Sequence, residues 1–160
     1  MSSQVLSAQE VSDATLTAWI RFLRAHAAIT RELSARLEAD HELTMSDYDV
    51  LIQLYHAEGH AMRRIDIARQ VLLTASGITR LLDGLERCGL VAKKPCASDA
   101  RVSYAVLTDE GVRRVEAARE SHLADVEELF GSRLEPAERE KLAELLGRLP
   151  LAETSEACSA

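Results

Sequence analysis

Ile65-Asp-Ile-Ala-Arg-Gln-Val-Leu-Leu-Thr-Ala-Ser-Gly-Ile-Thr-Arg-Leu-Leu-Asp-Gly-Leu-Glu-Arg-Cys-Gly-Leu-Val91 decides how this chain folds. It reads as two short helices joined by a tight corner. Ile65, Ala68 and Leu72 give the first an apolar stripe at helical spacing. Thr74 stands where a helix cap belongs, and Ile78, Leu81, Leu82 and Leu85 form the second stripe. That spacing leaves Ala75, Ser76, Gly77, Thr79 and Arg80 facing outward, with no carboxylate among them. Short neutral or basic side chains at a helix N-terminus suit a polyanion. The helix dipole and unpaired N–H groups attract phosphate, and small side chains let the helix enter a major groove. The pattern is that of a helix-turn-helix.

Beyond Gly89 the periodicity changes. Leu90, Val91, Lys93 and Lys94 lead into Pro95-Cys-Ala-Ser-Asp-Ala-Arg101, and Val102, Tyr104, Val106 and Leu107 follow as a second strand-like run. Two short strands around a tip of Pro, Ser and Asp make a β-hairpin. A hairpin directly after the second helix is a wing, and Lys93, Lys94 and Arg101 on it would reach the DNA backbone or the neighbouring minor groove. Asp99 and Arg101, two apart, would share a face, so the carboxylate can hold the guanidinium extended.

Four segments in this order, Thr74-x-x-Gly-Ile-Thr-Arg80, Leu85-Glu-x-x-Gly-Leu-Val91, Asp99-x-Arg101 and Leu107-Thr-Asp-Glu-Gly111, resemble the multiple-antibiotic-resistance regulators, the MarR family. The resemblance runs over residues 13–149. Two positions depart from the family pattern. Ala100 replaces the first arginine of its usual Asp-Arg-Arg wing, and Gly77 stands where a larger polar residue is common. The resemblance implies a ligand-responsive repressor that binds a palindromic operator as a homodimer. Its partners would be double-stranded DNA, a second copy of the chain and a small aromatic or phenolic effector.

Composition agrees with a mostly α fold carrying a small β-hairpin wing. The 160 residues are 47% hydrophobic but only 4% aromatic, which favours packed Ala- and Leu-rich helices. The net charge of −7 is unevenly spread. Residues 62–104 hold eight basic side chains against four acidic ones, a basic module in an acidic body. No apolar run approaches the length of a membrane span and no secretory signal opens the chain, so the expected location is cytoplasmic.

The expected organisation is one domain over residues 1–150, with a disordered tail at 151–160. Its DNA-binding lobe covers 46–108, and helices over 13–40 and 109–149 form a dimerisation lobe from both chain ends. Ser12 or Asp13 caps the first helix, and a second begins near Ser46 and ends with Gly59 as its cap. Thr108 opens a long helix, and Pro136 fits the first turn of the last. Leu16, Ile20 and Leu23 at one end, with Leu142, Leu145 and Leu149 at the other, exceed what a small lobe needs and suit a second subunit. Folding back onto the chain's own core is the alternative that periodicity leaves open.

Trp19, Phe22, His26, Tyr48 and Tyr55 concentrate the aromatic content in the first two helices. Each alone reads as core packing; together they would line an effector cleft, with Arg21 or His26 as an anion partner. His56 and His60 lack the spacing of a metal motif, and no metal or cofactor is expected. Cys88, Cys96 and Cys158 raise a redox-responsive regulator of the same fold as an alternative, although reduced thiols are the plainer account. No phosphate loop, nucleophile elbow or paired-carboxylate motif points to an enzyme. A winged helix used only for docking to protein is the remaining alternative.

Overall fold

The computed structural model describes residues 12–71, 75–96 and 101–149. Helix α1 (Asp13–His41) is capped by Ser12, whose hydroxyl accepts from the Thr15 amide at 3.2 Å, and it ends where Glu42 turns left-handed. Only Leu33 and Leu37, in its last third, are buried. Helix α2 (Met45–His56) opens with a reciprocal box. The Thr44 hydroxyl accepts from the Asp47 amide at 3.1 Å, and the Asp47 carboxylate accepts from the Thr44 amide at 3.0 Å. Tyr48, Val50, Leu51 and Leu54 bury its inner face.

The chain leaves α2 differently from the sequence expectation. Helix α2 stops at His56 with Ala57 extended, and Gly59 lies in a separate 3-10 turn, Glu58–His60. Gly59 and His60 both take positive φ, 63° and 53°. This reversal feeds a strand that periodicity did not announce, β1 (Ala61–Arg63). Three residues are too few to show alternation. What creates β1 is the open edge of a later strand.

Helix α3 (Arg64–Gln70) follows directly. Its inward residues are Ile67, fully buried, with Ala68 and Val71, whereas Ile65 is 58% exposed. The expected stripe through Ile65 and Ala68 is therefore corrected to one centred on Ile67; Leu72 lies outside the described residues. In a seven-residue helix, strand β1 at its start, rather than side-chain period, sets which face turns inward. Helix α4 (Ala75–Arg87) follows the sequence reading, burying Ile78, Leu82 and Leu85 and half-burying Leu81. It ends at Gly89 (φ 73°), where the Leu90 amide donates back to the Leu85 carbonyl at 3.0 Å.

Strands β2 (Val91–Pro95) and β3 (Ser103–Leu107) pair antiparallel, with Val91 opposite Leu107 and Pro95 opposite Ser103. Strand β1 adds to the other edge of β3, Ala61 opposite Val106, so the sheet order is β1-β3-β2. The fold is mostly helical with a three-stranded sheet, one strand more than the expected hairpin.

Helix α5 (Asp109–Leu129) is anchored through Thr108. The Thr108 amide donates to the Leu90 carbonyl at 3.1 Å, and its hydroxyl donates to Gly89 O at 2.7 Å and accepts from the Gly111 amide at 3.0 Å. Gly111 lets the two backbones meet: a Cβ there would lie 2.1 Å from the Leu90 carbonyl oxygen. Val115 and Ala118 continue this buried face. Between α1 and α5, Arg36 binds Asp125 at 2.6 Å and Glu128 at 2.9 Å, and Arg114 donates to the His41 carbonyl at 2.7 Å. After a 3-10 turn at Gly131–Arg133, helix α6 (Pro136–Leu146) begins on its proline and buries nothing.

Gly111→Ala should lower the urea unfolding free energy by about 1–3 kcal/mol, the range for overpacked sites. Gly84→Ala, whose Cβ meets only the tip of Arg87 at 4.0 Å, should instead stabilise by up to about 1 kcal/mol. Equal effects in both variants would contradict the tight α5 joint.

The His122 ring lies 4.8 Å from that of Tyr48, and its Nδ1 is buried without a hydrogen-bond partner. Burial lowers its pKa below the ordinary 6.5. The unfolded chain then takes up the proton first as pH falls. The stability that neutral His122 supports is complete above that value and is lost below it. A proton-NMR titration should give a midpoint below 6.5. His122→Leu should lose less stability than the parent between about pH 7.5 and pH 5.5.

Candidate nucleic-acid interface

The outer face of α4 is built by its inner one. Ile78, Leu82 and Leu85 fix the helix against the core, which leaves Thr79, Arg80, Asp83 and Arg87 exposed and Gly77 half-buried. The first turn of α4 contains no acidic residue, so no acid of its own offsets its positive dipole end. Thr74 and the side chains of Ala75 and Ser76 lie outside the described residues.

Beside α4, the wing carries its cations on a short ribbon. Lys93 and Lys94 are both exposed, and the pleat sends them to opposite faces, Lys93 across from Ala105 and Lys94 across from Tyr104. The pairing extends past β2, where the Cys96 amide donates to Val102 O at 3.0 Å. Arg101 is exposed in the turn two residues before β3, while Asp99 and Ala100 lie outside the described residues.

Carboxylates already hold several of the basic residues. Asp66 accepts from Arg63 at 2.6 Å and lies 3.8 Å from Arg69, and Asp83 on α4 accepts from Arg64 on α3 at 3.1 Å. The three-residue spacing of Arg63, Asp66 and Arg69 was a readable signal for the first set. The Arg64–Asp83 pair, 19 residues apart, had none. Arg80, Lys93 and Lys94 make no ion pair among the described residues.

The five residues expected to line one aromatic cleft fall in three places. Trp19, Phe22 and His26 run along exposed α1, with centroids 6.2 and 6.3 Å apart in succession. Tyr48 is 6% exposed, packed in the core against His122. Tyr55 donates its hydroxyl to Glu116 of α5 at 3.0 Å and lies among the rings of His56 and His60. The Glu116 carboxylate at that hydroxyl pushes the Tyr55 phenol pKa up. Helical period assigned each residue a face but not which end of α1 leaves the core. A different cleft of about 440 Å³ lies between α1 and α6, walled by Phe22, Ile29, Phe130, Leu142 and Leu146, with His26 and Arg21 on its lining.

The residues expected to face a second subunit are exposed in the single chain. Leu16, Ile20, Leu23, Leu145 and Leu149 are 43–48% accessible, and Leu142 is half-buried in the cleft wall. Cys88 is an exposed free thiol and Cys96 is half-buried; Cys158 lies outside the described residues. Among the described residues no three His, Cys, Asp or Glu side chains gather as metal ligands, and no helix is long and apolar enough to cross a membrane.

Comparison with known proteins meets this geometry at each level. The MarR family profile matches residues 43–103, from just before α2 to the first residue of β3. The HTH-type transcriptional regulator MhqR of Bacillus subtilis is 28% identical over 141 residues, 88% of this chain and 94% of that one. Sco3205 of Streptomyces coelicolor, a MarR family transcriptional regulator solved in complex with DNA, superposes with a TM-score of 0.81 at 24% identity. That match covers 86% of this chain and 89% of the other. AbsC, a MarR family transcriptional regulator from Streptomyces coelicolor, matches with a TM-score of 0.80 over 85% of this chain and 91% of its own. With 30% identity to AbsC over 85% of its length, and the same fold, the chain belongs to the MarR family of transcriptional regulators.

Proposed function

We propose that this protein is a homodimeric repressor that reads a palindromic operator and is released by a small aromatic acid. One observation carries the DNA-reading part. A helix with a carboxylate-free first turn, fixed by Ile78, Leu82 and Leu85, exposes Thr79 and Arg80 beside a lysine-bearing hairpin. In this reading α4 enters the major groove with Thr74, Ala75, Ser76, Gly77, Thr79 and Arg80 toward the bases and phosphates. Lys93, Lys94, Asp99 and Arg101 act at the adjacent minor groove. With Ala100 in place of an arginine, Arg101 carries more of the wing's affinity.

The exposed Leu16, Ile20 and Leu23, together with Leu145 and Leu149 near a helix that buries nothing of its own, support a dimer joined through both chain ends. A two-fold axis then sets two α4 helices about one DNA turn apart. The α1–α6 cleft suits an aromatic acid: its walls are apolar, and Arg21 and His26 offer a guanidinium and an imidazole for the carboxylate. The protein acts in the cytoplasm, where its operator is.

A gel shift on the DNA upstream of its own gene tests the reading. The parent should bind a site with half-sites about 10 base pairs apart. Arg80→Ala should cost about 1–3 kcal/mol and relax preference at one position per half-site. Undiminished binding by that variant would remove α4 from the groove. Absence of any shift, with capture of a protein ligand by the wing face, would favour the docking module instead.

Light scattering should give twice the chain mass, and truncation after Leu134 should abolish the dimer. A monomer that binds isolated half-sites at full affinity would refute the two-fold arrangement. Salicylate-like acids should change the fluorescence of Trp19, the single tryptophan, and weaken the shift. A tenfold weakening corresponds to about 1.4 kcal/mol of coupling.

A further inference from the structure

Asp83 is the one carboxylate among the exposed residues of α4 that carry the DNA-reading proposal. Three and four residues beyond Arg80 and Thr79, it lies on their side of the helix. Thr79, Arg80, Asp83 and Arg87 line one shallow depression there. An acid at that place opposes approach to any polyanion, so its partners decide what it does.

Those partners leave it oriented and half used. Its Oδ1 accepts from Arg64 Nη2 at 3.1 Å, whereas Arg87, one turn on, donates to the Asp83 backbone carbonyl at 3.3 Å. Oδ2 makes no hydrogen bond among the described residues, and the side chain is 57% exposed. Arg64 is the reverse: its side chain is only 20% exposed, with Nε buried and without a partner. A guanidinium set that deep between α3 and α4 is spent on Asp83 rather than extended to a phosphate. Its charge offsets the carboxylate and its bond fixes which oxygen points outward.

We propose that Asp83 is a base-reading residue, its outward carboxylate oxygen accepting a hydrogen bond from the exocyclic amine of a cytosine in the major groove. Arg64 is its positioning residue. A carboxylate is the acceptor suited to the cytosine N4 amine, and of the four bases cytosine alone presents only a donor on its major-groove edge. The pair acts as a filter. It costs affinity on every duplex and returns part of that cost where a cytosine meets Oδ2. This inference rests on the DNA-reading function proposed above.

The test begins by selecting preferred sites from random duplexes with the full-length protein. Binding is then measured on the best site and on its three single-base variants at each position. The parent should favour cytosine about tenfold at one position per half-site within reach of Asp83. Asp83→Ala should bring that preference to within about twofold while other positions keep theirs and the thermal melt is unchanged. Asp83→Asn preserves the shape should alanine unsettle the helix, and it should move the preference toward adenine, which an amide reads at two points. Arg64→Ala should weaken discrimination at the same position, and Arg64→Lys should restore part of it.

If both Asp83 variants bind every duplex more tightly with base preferences intact, Asp83 is only a repelling charge and the inference is overturned. Failure of the parent to select any site would overturn the DNA-reading function and this inference with it.

Discussion

The contact between the start of α5 and the Leu90 carbonyl ties the molecule together. Three groups converge on that strand entrance: the Thr108 amide, the Thr108 hydroxyl and the bare Cα of Gly111. Leu90 is also the residue through which α4 ends, because its amide closes the last turn onto Leu85. One residue thus belongs to the end of the outward-facing helix, the start of the wing and the seat of the long helix. Buried backbone bonds at close approach offer little slack, since lengthening any of them leaves a polar group unsatisfied. A displacement of α5 must therefore carry α4 and the wing with it.

Around that joint the packing is graded. Val50, Leu51, Leu54, Ile67, Leu82 and Val115 are closed off completely, and they come from α2, α3, α4 and α5. Moving outward along α1, burial stops after Leu33, and α6 has none. The polar ties between α1 and α5 sit at this border. Arg36 reaches Glu32, Asp125 and Glu128, and the Glu128 carboxyl is held below its ordinary range by hydrogen bonding to that guanidinium. With Glu32 and Glu128 more than half exposed, this cluster orients the helices more than it stabilises them. The core fixes the outward face of α4, whereas the chain ends keep apolar surface in reserve.

Sequence made the centre of this arrangement legible and the edges less so. Ile78, Leu82 and Leu85 lie at the spacing of one helix face, and the hairpin has alternating residues about a Pro- and Ser-containing tip. Both signals are local and both elements formed. The misses share a cause in distance along the chain. Strand β1 exists because β3 offers an edge more than 40 residues later, and that pairing, not period, turned Ile67 inward in place of Ile65. Tyr48 and Tyr55 share a helix with the right period for one cleft. His122 and Glu116 of α5 nevertheless claim them separately from Trp19 and Phe22.

Electrostatics follows the same division between what is counted and what is placed. Counting charges marked residues 62–104 as basic, and that asymmetry is real. Placement shows that Arg63, Arg64 and Arg69 are occupied by Asp66 and Asp83. Among the described residues of that segment, Arg80 and Arg87 on α4 and the two lysines of β2 have no carboxylate partner. An anion approaching this face meets a paired base formed by α3 and positive groups without carboxylate partners on α4 and β2. Local field, which decides anion approach more than net charge does, is thereby concentrated on the two elements that project from the body. Asp66 and Asp83 sharpen this pattern by binding the arginines that would otherwise spread it.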